Sequence, residues 1–394
     1  MENRPLRLVV VGLGAVAQSV HLPIVVRRPD LYTLVGVVDV SPSLTDVVGG
    51  RYGISANGRG TDLETVLDAV TPDVLLIAAG GSHRVATIAG LRRGLAVLCE
   101  KPLAFTRAEL DSIAAALPPT GERLMVGYMK QYDPAVERAR EILSEVDDIR
   151  TVDIDVLHPT GYSQLEFAHI VSASDVPHEI AAQLHSQDDE RRRQAMGDVD
   201  DALWRLYSGS LLSSLAHDLS ILRYLTGPPE TVEFVDVWRR TSAQQVRVTG
   251  RDTAALGACP PSIRVAGRLS DQSRYLLNWH YLHDYPAYRE TVRVVWGAGS
   301  LELQFPSPYL LHSPTTLTVN RSRGDDTERS EFLSTAEAFE RQLEALADMA
   351  RNGTPPRTGF AGAADDLRVC QEIVRFHLTA TGIAAGGELG LSSR

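Results

Sequence analysis

Lysine is almost missing from this chain. Of 39 basic residues only two are lysine, Lys101 and Lys130, and the rest are arginine. A guanidinium stays charged far above neutral pH, whereas an amine is a compact donor that can lose its proton. The two exceptions are therefore candidates for chemistry. Cysteine is scarce as well: Cys99, Cys259 and Cys370 are far apart and odd in number, which supplies neither a disulfide framework nor a CxxC metal site. No His/Asp/Glu set has metal-ligand spacing, so no metal is expected. No apolar run reaches the roughly 20 residues that cross a bilayer. The N-terminal MENRPLRLVVVGLG carries neither the apolar core nor the small-residue cleavage site of a signal peptide, so a cytoplasmic location is expected. Positive charge is in deficit, with a net charge of -11, which argues against nucleic acid or an anionic membrane as partner. The cluster Arg191, Arg192 and Arg193 follows Gln-Asp-Asp-Glu and reads as a solvated helix face.

What is present is a two-domain globular chain: 394 residues are too many for one ordinary core, and 44% apolar with 23% charged residues exclude a disordered or fibrous class. From residue 6 to 128, apolar strands such as LRLVVVG, YTLVGVVD, DVLLIAA and LAVLCE alternate with helical segments. That order predicts a doubly wound parallel sheet covered on both faces over 1–128. Beyond residue 150 the strand-like segments alternate apolar and polar positions, as in TVDIDVLH, SIRVAGRLS and SLELQF. They predict a second α/β domain over 129–394, built on a large, open, mostly antiparallel sheet with one face packed and one available for a partner. A polar insertion is expected near 160–207 and C-terminal helices near 335–380.

Between the first strand and the first helix lies VVVGLGAVA, the G-x-G-x-x-A form of the dinucleotide fingerprint. Gly12 permits the tight turn, Gly14 lets the backbone approach a pyrophosphate, and Ala17 keeps helix and sheet close; Leu13, Ala15 and Val16 complete the turn. Asp39 ends the next strand, where an acid accepts hydrogen bonds from the adenosine ribose and repels a 2′-phosphate, so NAD is expected, with NADP possible. Ligands of such sheets bind at the carboxyl ends of the strands. That rule adds Ala79, Gly80 and His83 at and beyond the end of DVLLIAA, and Glu100 and Lys101 at and beyond the end of LAVLCE, to the expected cofactor contacts. Lys101 stands where cofactor and substrate would meet, and could stabilise negative charge on a substrate oxygen.

The stretches VVVGLGAVAQSVHLP, CEKPLAFT, VGYMKQYDPA and SSLAHDLSILRYLTG, in this order, resemble the Gfo/Idh/MocA family of NAD(P)-dependent oxidoreductases over essentially the whole chain. The resemblance implies a dinucleotide-binding Rossmann domain followed by an open-sheet domain for substrate binding and oligomerisation, Lys101 as the catalytic lysine, and Lys130 as a basic residue lining the cleft; Tyr128, near a strand end, is a further candidate for that cleft. It also implies a homodimer or homotetramer. At α-helical spacing His217 shares a face with Ser210, Ser213, Ser214, Ser220 and Tyr224, opposite a leucine stripe. An imidazole there suits proton transfer near neutral pH. Family members often carry an aspartate where this chain has Ser213, so His217 matches the family pattern without its usual carboxylate partner. The expected activity is hydride transfer between nicotinamide and a carbinol or keto carbon of a sugar, cyclitol or related polyol. Lys101, Tyr128, Lys130, Ser213 and His217 are expected at the substrate. A non-catalytic dinucleotide sensor, or an enzyme using redox transiently without net NADH formation, are the alternatives.

Overall fold

The computed structural model describes residues 4–119, 123–160, 164–239, 244–249, 252–255 and 258–391. The chain forms two compact units, the first made of Met1–Tyr128, Ala168–Asp198 and Phe339–Ala364, the second of Met129–Phe167, Val199–Ala338 and Asp365–Arg394.

The first unit is built on six parallel strands: β1 (Leu6–Val11), β2 (Tyr32–Val38), β3 (Arg59–Gly60), β4 (Val74–Ile77), β5 (Ala96–Cys99) and β6 (Leu124–Val126). Their order is β3-β2-β1-β4-β5-β6. Every residue of β4, β5 and β6 is buried, which is why these strands read as unbroken apolar runs. Three intervening helices are capped by side chains that accept the first free N–H groups: Ser41 for α2 (Pro42–Arg51), Asp62 for α3 (Leu63–Val70) and Thr106 for α5 (Arg107–Ala114). The helix from Ala15 to Arg27 follows β1; its last turns form α1 (Leu22–Arg27). Helix α4 (Arg84–Arg92) links β4 to β5. The strand order reverses between β1 and β4, the topological switch point at which such sheets bind ligands.

Two segments expected in the second domain group with the first instead. Helix α10 (Ala338–Asn352) buries Phe339, Leu343, Leu346 and Met349. It receives the Tyr32 hydroxyl on the Leu343 carbonyl at 2.5 Å, and its Gln342 amide donates to Val126 O at 3.0 Å. The polar insertion, with helix α7 (His178–Met196), is tied back through Val171 and Asp175. A parallel sheet must be covered on both faces, and sequence order alone does not reveal which distant helix does the covering.

The second unit carries β7 (Ile149–His158), β8 (Pro229–Trp238), β11 (Ser262–Leu269), β12 (Arg274–Tyr281), β13 (Arg289–Trp296), β14 (Gly299–Phe305), β15 (Thr316–Arg323) and β16 (Asp326–Leu333). Their order is β16-β15-β14-β13-β7-β12-β11-β8. Neighbours are antiparallel except for the parallel pair β7 and β12. Along β13, Glu290, Val292, Val294 and Trp296 are buried while Thr291, Arg293 and Val295 are not, the alternation of a sheet with one covered face. A separate ribbon pairs β9 (Gln245–Thr249) with β10 (Asp252–Ala255). Helix α6 (Pro134–Leu143) packs on β14 and β15. The segment 201–226 runs as α8 (Asp201–Arg205), a π-helix (Leu206–Leu215) and α9 (Ala216–Thr226). Helix α11 (Phe360–Thr381) starts in the first unit and ends in the second. Among the described residues no helix is long and apolar enough to cross a membrane.

Candidate functional site

In the first unit the glycine turn forms as its sequence requires. Gly12 has φ of +84°, and an added Cβ would lie 2.3 Å from the Ala79 backbone, so only glycine lets β1 turn this close to the end of β4. At Gly14 an added Cβ meets no atom within 4 Å; this backbone faces away from the protein. Leu13 and Ala17 are buried, while Gly14 is exposed and Ala15 and Val16 are half-buried at the helix start. Asp39 fixes the turn from the side: its carboxylate accepts the Leu13 N–H at 2.8 Å and the Ser41 N–H at 2.9 Å. A turn closed to side chains, bare backbone at a helix N-terminus and an acid after β2 fit a dinucleotide. Ala79 is half-buried and Gly80 exposed at the end of β4.

Two residues expected at the cofactor are turned inward instead. His83 is 2% exposed, with Nδ1 2.8 Å from Pro102 O and Nε2 2.7 Å from Ala79 O, so it ties the loop after β4 to the loop after β5. The Glu100 carboxylate is buried against His21 Nε2 at 2.8 Å and accepts the Lys101 N–H at 3.3 Å. Burial alone would raise its pKa, but the His21 contact and the Lys101 charge outweigh that and lower it. The packing around this carboxylate is tight enough that a Cβ on Gly127 would sit 2.6 Å from it. Sequence reasoning singled out neither His21 nor Gly127; the only signal was the histidine in SVHLP. Lys101 itself is half-buried at the carboxyl end of β5, followed by a cis peptide bond to Pro102.

In the second unit His217 lies half-buried in the first turn of α9, and Ser213 and Ser214 are half-buried in the π-helix before it. Ser214 Oγ accepts the Trp279 Nε1–H at 2.9 Å, while Ser213 donates to Ser208 O at 2.8 Å. The expected hydroxyl face is narrower than α-helical spacing implies, because Ser210 and Ser220 are buried. Lys130 is also displaced from its expected role. It is 6% exposed, its ammonium is paired with the Glu290 carboxylate, and it lies 5.1 Å from the centre of the Phe305 ring. Tyr288 donates to the same Glu290 oxygen at 2.5 Å. Asp218, buried beside them, has its pKa raised well above the carboxylate range by burial and by the Glu290 charge. One ammonium cannot neutralise two carboxylates in a dry site, which is why the Asp218 carboxyl is shifted towards its neutral form. Tyr128, expected at the substrate, is 2% exposed. Among the described residues no cluster of His, Cys, Asp or Glu could hold a metal ion.

Residues 6–128 match the Gfo/Idh/MocA model, described as an oxidoreductase family with an NAD-binding Rossmann fold. The chain is 30% identical over 139 residues to inositol 2-dehydrogenase of Burkholderia ambifaria, covering 35% of this chain and 41% of that protein. It is 33% identical over 145 residues to inositol 2-dehydrogenase 4 of Saccharopolyspora erythraea, covering 36% of this chain and 42% of the relative. The matched region thus spans about two fifths of the length of these relatives. The fold extends further. An aldose-aldose oxidoreductase from Caulobacter crescentus, solved with glycerol, has a TM-score of 0.65 at 20% identity over 96% of this chain and 98% of its own. An inositol dehydrogenase homolog from Azotobacter vinelandii, solved with NADH and myo-inositol, has a TM-score of 0.66 at 15% identity over 94% of this chain and 95% of its own.

Proposed function

We propose, from the match of residues 6–128 to the Gfo/Idh/MocA oxidoreductase model, that this protein is an NAD(P)-dependent oxidoreductase acting on a carbinol or keto carbon of a sugar, cyclitol or related polyol. The observation that carries the reading is the glycine turn at Gly12 and Gly14, closed to side chains and braced by Asp39, on the same sheet as Lys101. Gly12 to Ala17, Asp39, Ala79 and Gly80 would hold the dinucleotide, whose nicotinamide supplies a two-electron hydride acceptor or donor when bound. Lys101 orients the substrate oxygen and stabilises the negative charge that develops on it. His217 takes the hydroxyl proton in oxidation or returns it in reduction. Glu100, held ionised by His21, keeps the loop carrying Lys101 in place. Self-association through the open face of the eight-stranded sheet, where Phe234 and Trp238 are exposed, belongs to the same reading.

The test is turnover of the purified protein with NAD or NADP on a panel of polyols, followed by NADH absorbance. Lys101→Met is expected to lower kcat by at least about a thousandfold while sparing NAD binding, and His217→Ala by about a hundredfold or more. Retained activity in Lys101→Met removes this lysine from the mechanism. A dinucleotide sensor remains the second reading because Ser213 offers His217 no carboxylate. NAD binding without turnover on any substrate, and indifference to His217→Ala, would favour it.

A further inference from the structure

The polar insertion does not stay with the second unit but crosses the dinucleotide end of the first. Val171 pairs with the Gln18 side chain in both directions: Gln18 Nε2 donates to Val171 O at 2.8 Å, and Val171 N–H donates to Gln18 Oε1 at 3.0 Å. Gln18 also holds the glycine turn, donating to Leu13 O at 2.6 Å. Further along, Asp175 reaches the N-terminus of α2, accepting the Ser41 hydroxyl and, at 2.8 Å, the Ser43 N–H. Helix α7 then walls a cleft of about 630 Å³, in which Ile180 and Leu184 line the side contributed by α7, and Val40, Ser82 and Val85 the side contributed by the loops after β2 and β4 and the start of α4. The segment therefore runs from the helix behind the glycine turn to the helix after β2, beside the ends of β2 and β4.

In this fold the acid after the second strand meets the adenosine ribose, and donors next to it decide whether a 2′-phosphate is accepted. Here Asp39 already receives the Ser41 N–H. Two donors that follow it in the chain, the Ser41 hydroxyl and the Ser43 N–H at the start of a ten-residue helix, are what a phosphate would require. Both are taken by the carboxylate of Asp175. We propose that Asp175 is a specificity-determining residue for the dinucleotide: its carboxylate occupies the donors a 2′-phosphate would use and, with Asp39, repels that phosphate, so the protein selects NAD over NADP. The inference rests on the dinucleotide-binding reading above and adds a residue outside the fingerprint that such reading draws on.

The full-length protein is titrated with NAD+ and NADP+ by calorimetry, as wild type, Asp175→Asn and Asp175→Ala. Asp175 is exposed, and thermal melts of each variant report that the fold is kept. Wild type is expected to bind NAD+ at least about tenfold more tightly than NADP+, and this gap to shrink as salt is raised. Both variants should gain affinity for NADP+ on the order of tenfold, with NAD+ binding changed far less. Asn keeps one acceptor oxygen, enough for either Ser41 or Ser43, but not the charge, so a gain in Asn as well as in Ala assigns the effect to the carboxylate charge. If wild type binds NAD+ and the NADP+ to NAD+ ratio is the same in all three proteins, the role of Asp175 is overturned while the dinucleotide reading stands. If no protein binds either dinucleotide, both fall together.

Discussion

At the scale of single residues, the chemistry of His83 follows from counting donors. Its two ring nitrogens face two carbonyls, those of Pro102 and Ala79. A neutral imidazole has one N–H and satisfies one of them; an imidazolium satisfies both. Burial would lower its pKa, but the adjacent Cys99 and the two carbonyls outweigh burial and move it from 6.5 up to about 9. The folded value lies above the unfolded one, so the contribution to stability is complete below pH 6.5 and is lost as pH rises through about 9. Its full size is about 3 kcal/mol by linkage. Urea unfolding of wild type and His83→Gln on either side of that window is expected to show the wild-type advantage narrowing by about this amount towards alkaline pH. An advantage independent of pH would mean that the ring is neutral throughout.

At the scale of elements, the run Leu206–Leu215 shows how a small change of helical register redirects side chains. Its π-type bonds reach back five residues, one more than an α-helix. Gly209 sits in this run exposed to solvent, and an added Cβ there meets no atom within 4 Å. Alanine removes backbone entropy from the unfolded chain at no steric cost, so Gly209→Ala is expected to stabilise the protein by about 0.5–1 kcal/mol, seen as a higher melting temperature. A lower one would show that the π turn needs the latitude of glycine. The same register bears on where the sequence misled: regular 100° steps across this run put Ser210 on the face of His217, whereas Ser210 is buried within the π-helix, and Ser220, beyond the run, is buried as well and donates to His217 O at 3.0 Å. No residue pattern announces a π-helix. Strands β4, β5 and β6 were legible because burial on both faces demands apolar runs. Strand β16 was not, since all eight of its residues are exposed and neither face imposes a pattern. The glycine turn between β1 and its helix, and the positions of Asp39 after β2 and of Lys101 after β5, were legible because local motifs carry them. The contacts of Glu100 with His21 and of Lys130 with Glu290 join residues far apart in sequence, and only the folded chain identifies the partners.

At the scale of the whole molecule, the first unit is not a continuous stretch of chain, and its stability should reveal this. Segment 339–364 supplies α10, whose Phe339, Leu343, Leu346, Ala347 and Met349 are each at most 5% exposed. It also extends the pairing of the edge strand β6, with Val126 N–H donating to Thr358 O at 2.7 Å and the Thr358 hydroxyl donating to Val126 O at 2.8 Å. Burial of a large apolar side chain is worth about 1.5–3 kcal/mol, so the helix contributes an amount comparable to the roughly 5–15 kcal/mol by which a domain is stable at all. A fragment ending at residue 128 would expose the facing surface around Tyr32 and Val126. It is expected to unfold without a cooperative transition in urea, followed by circular dichroism. Joining 1–128 to 339–364 through a flexible linker should restore a single transition, because the missing cover is then supplied at high effective concentration. A sharp transition in the shorter fragment, with the same dependence on urea as the longer one, would show that the six-stranded sheet needs no help from the distant helix.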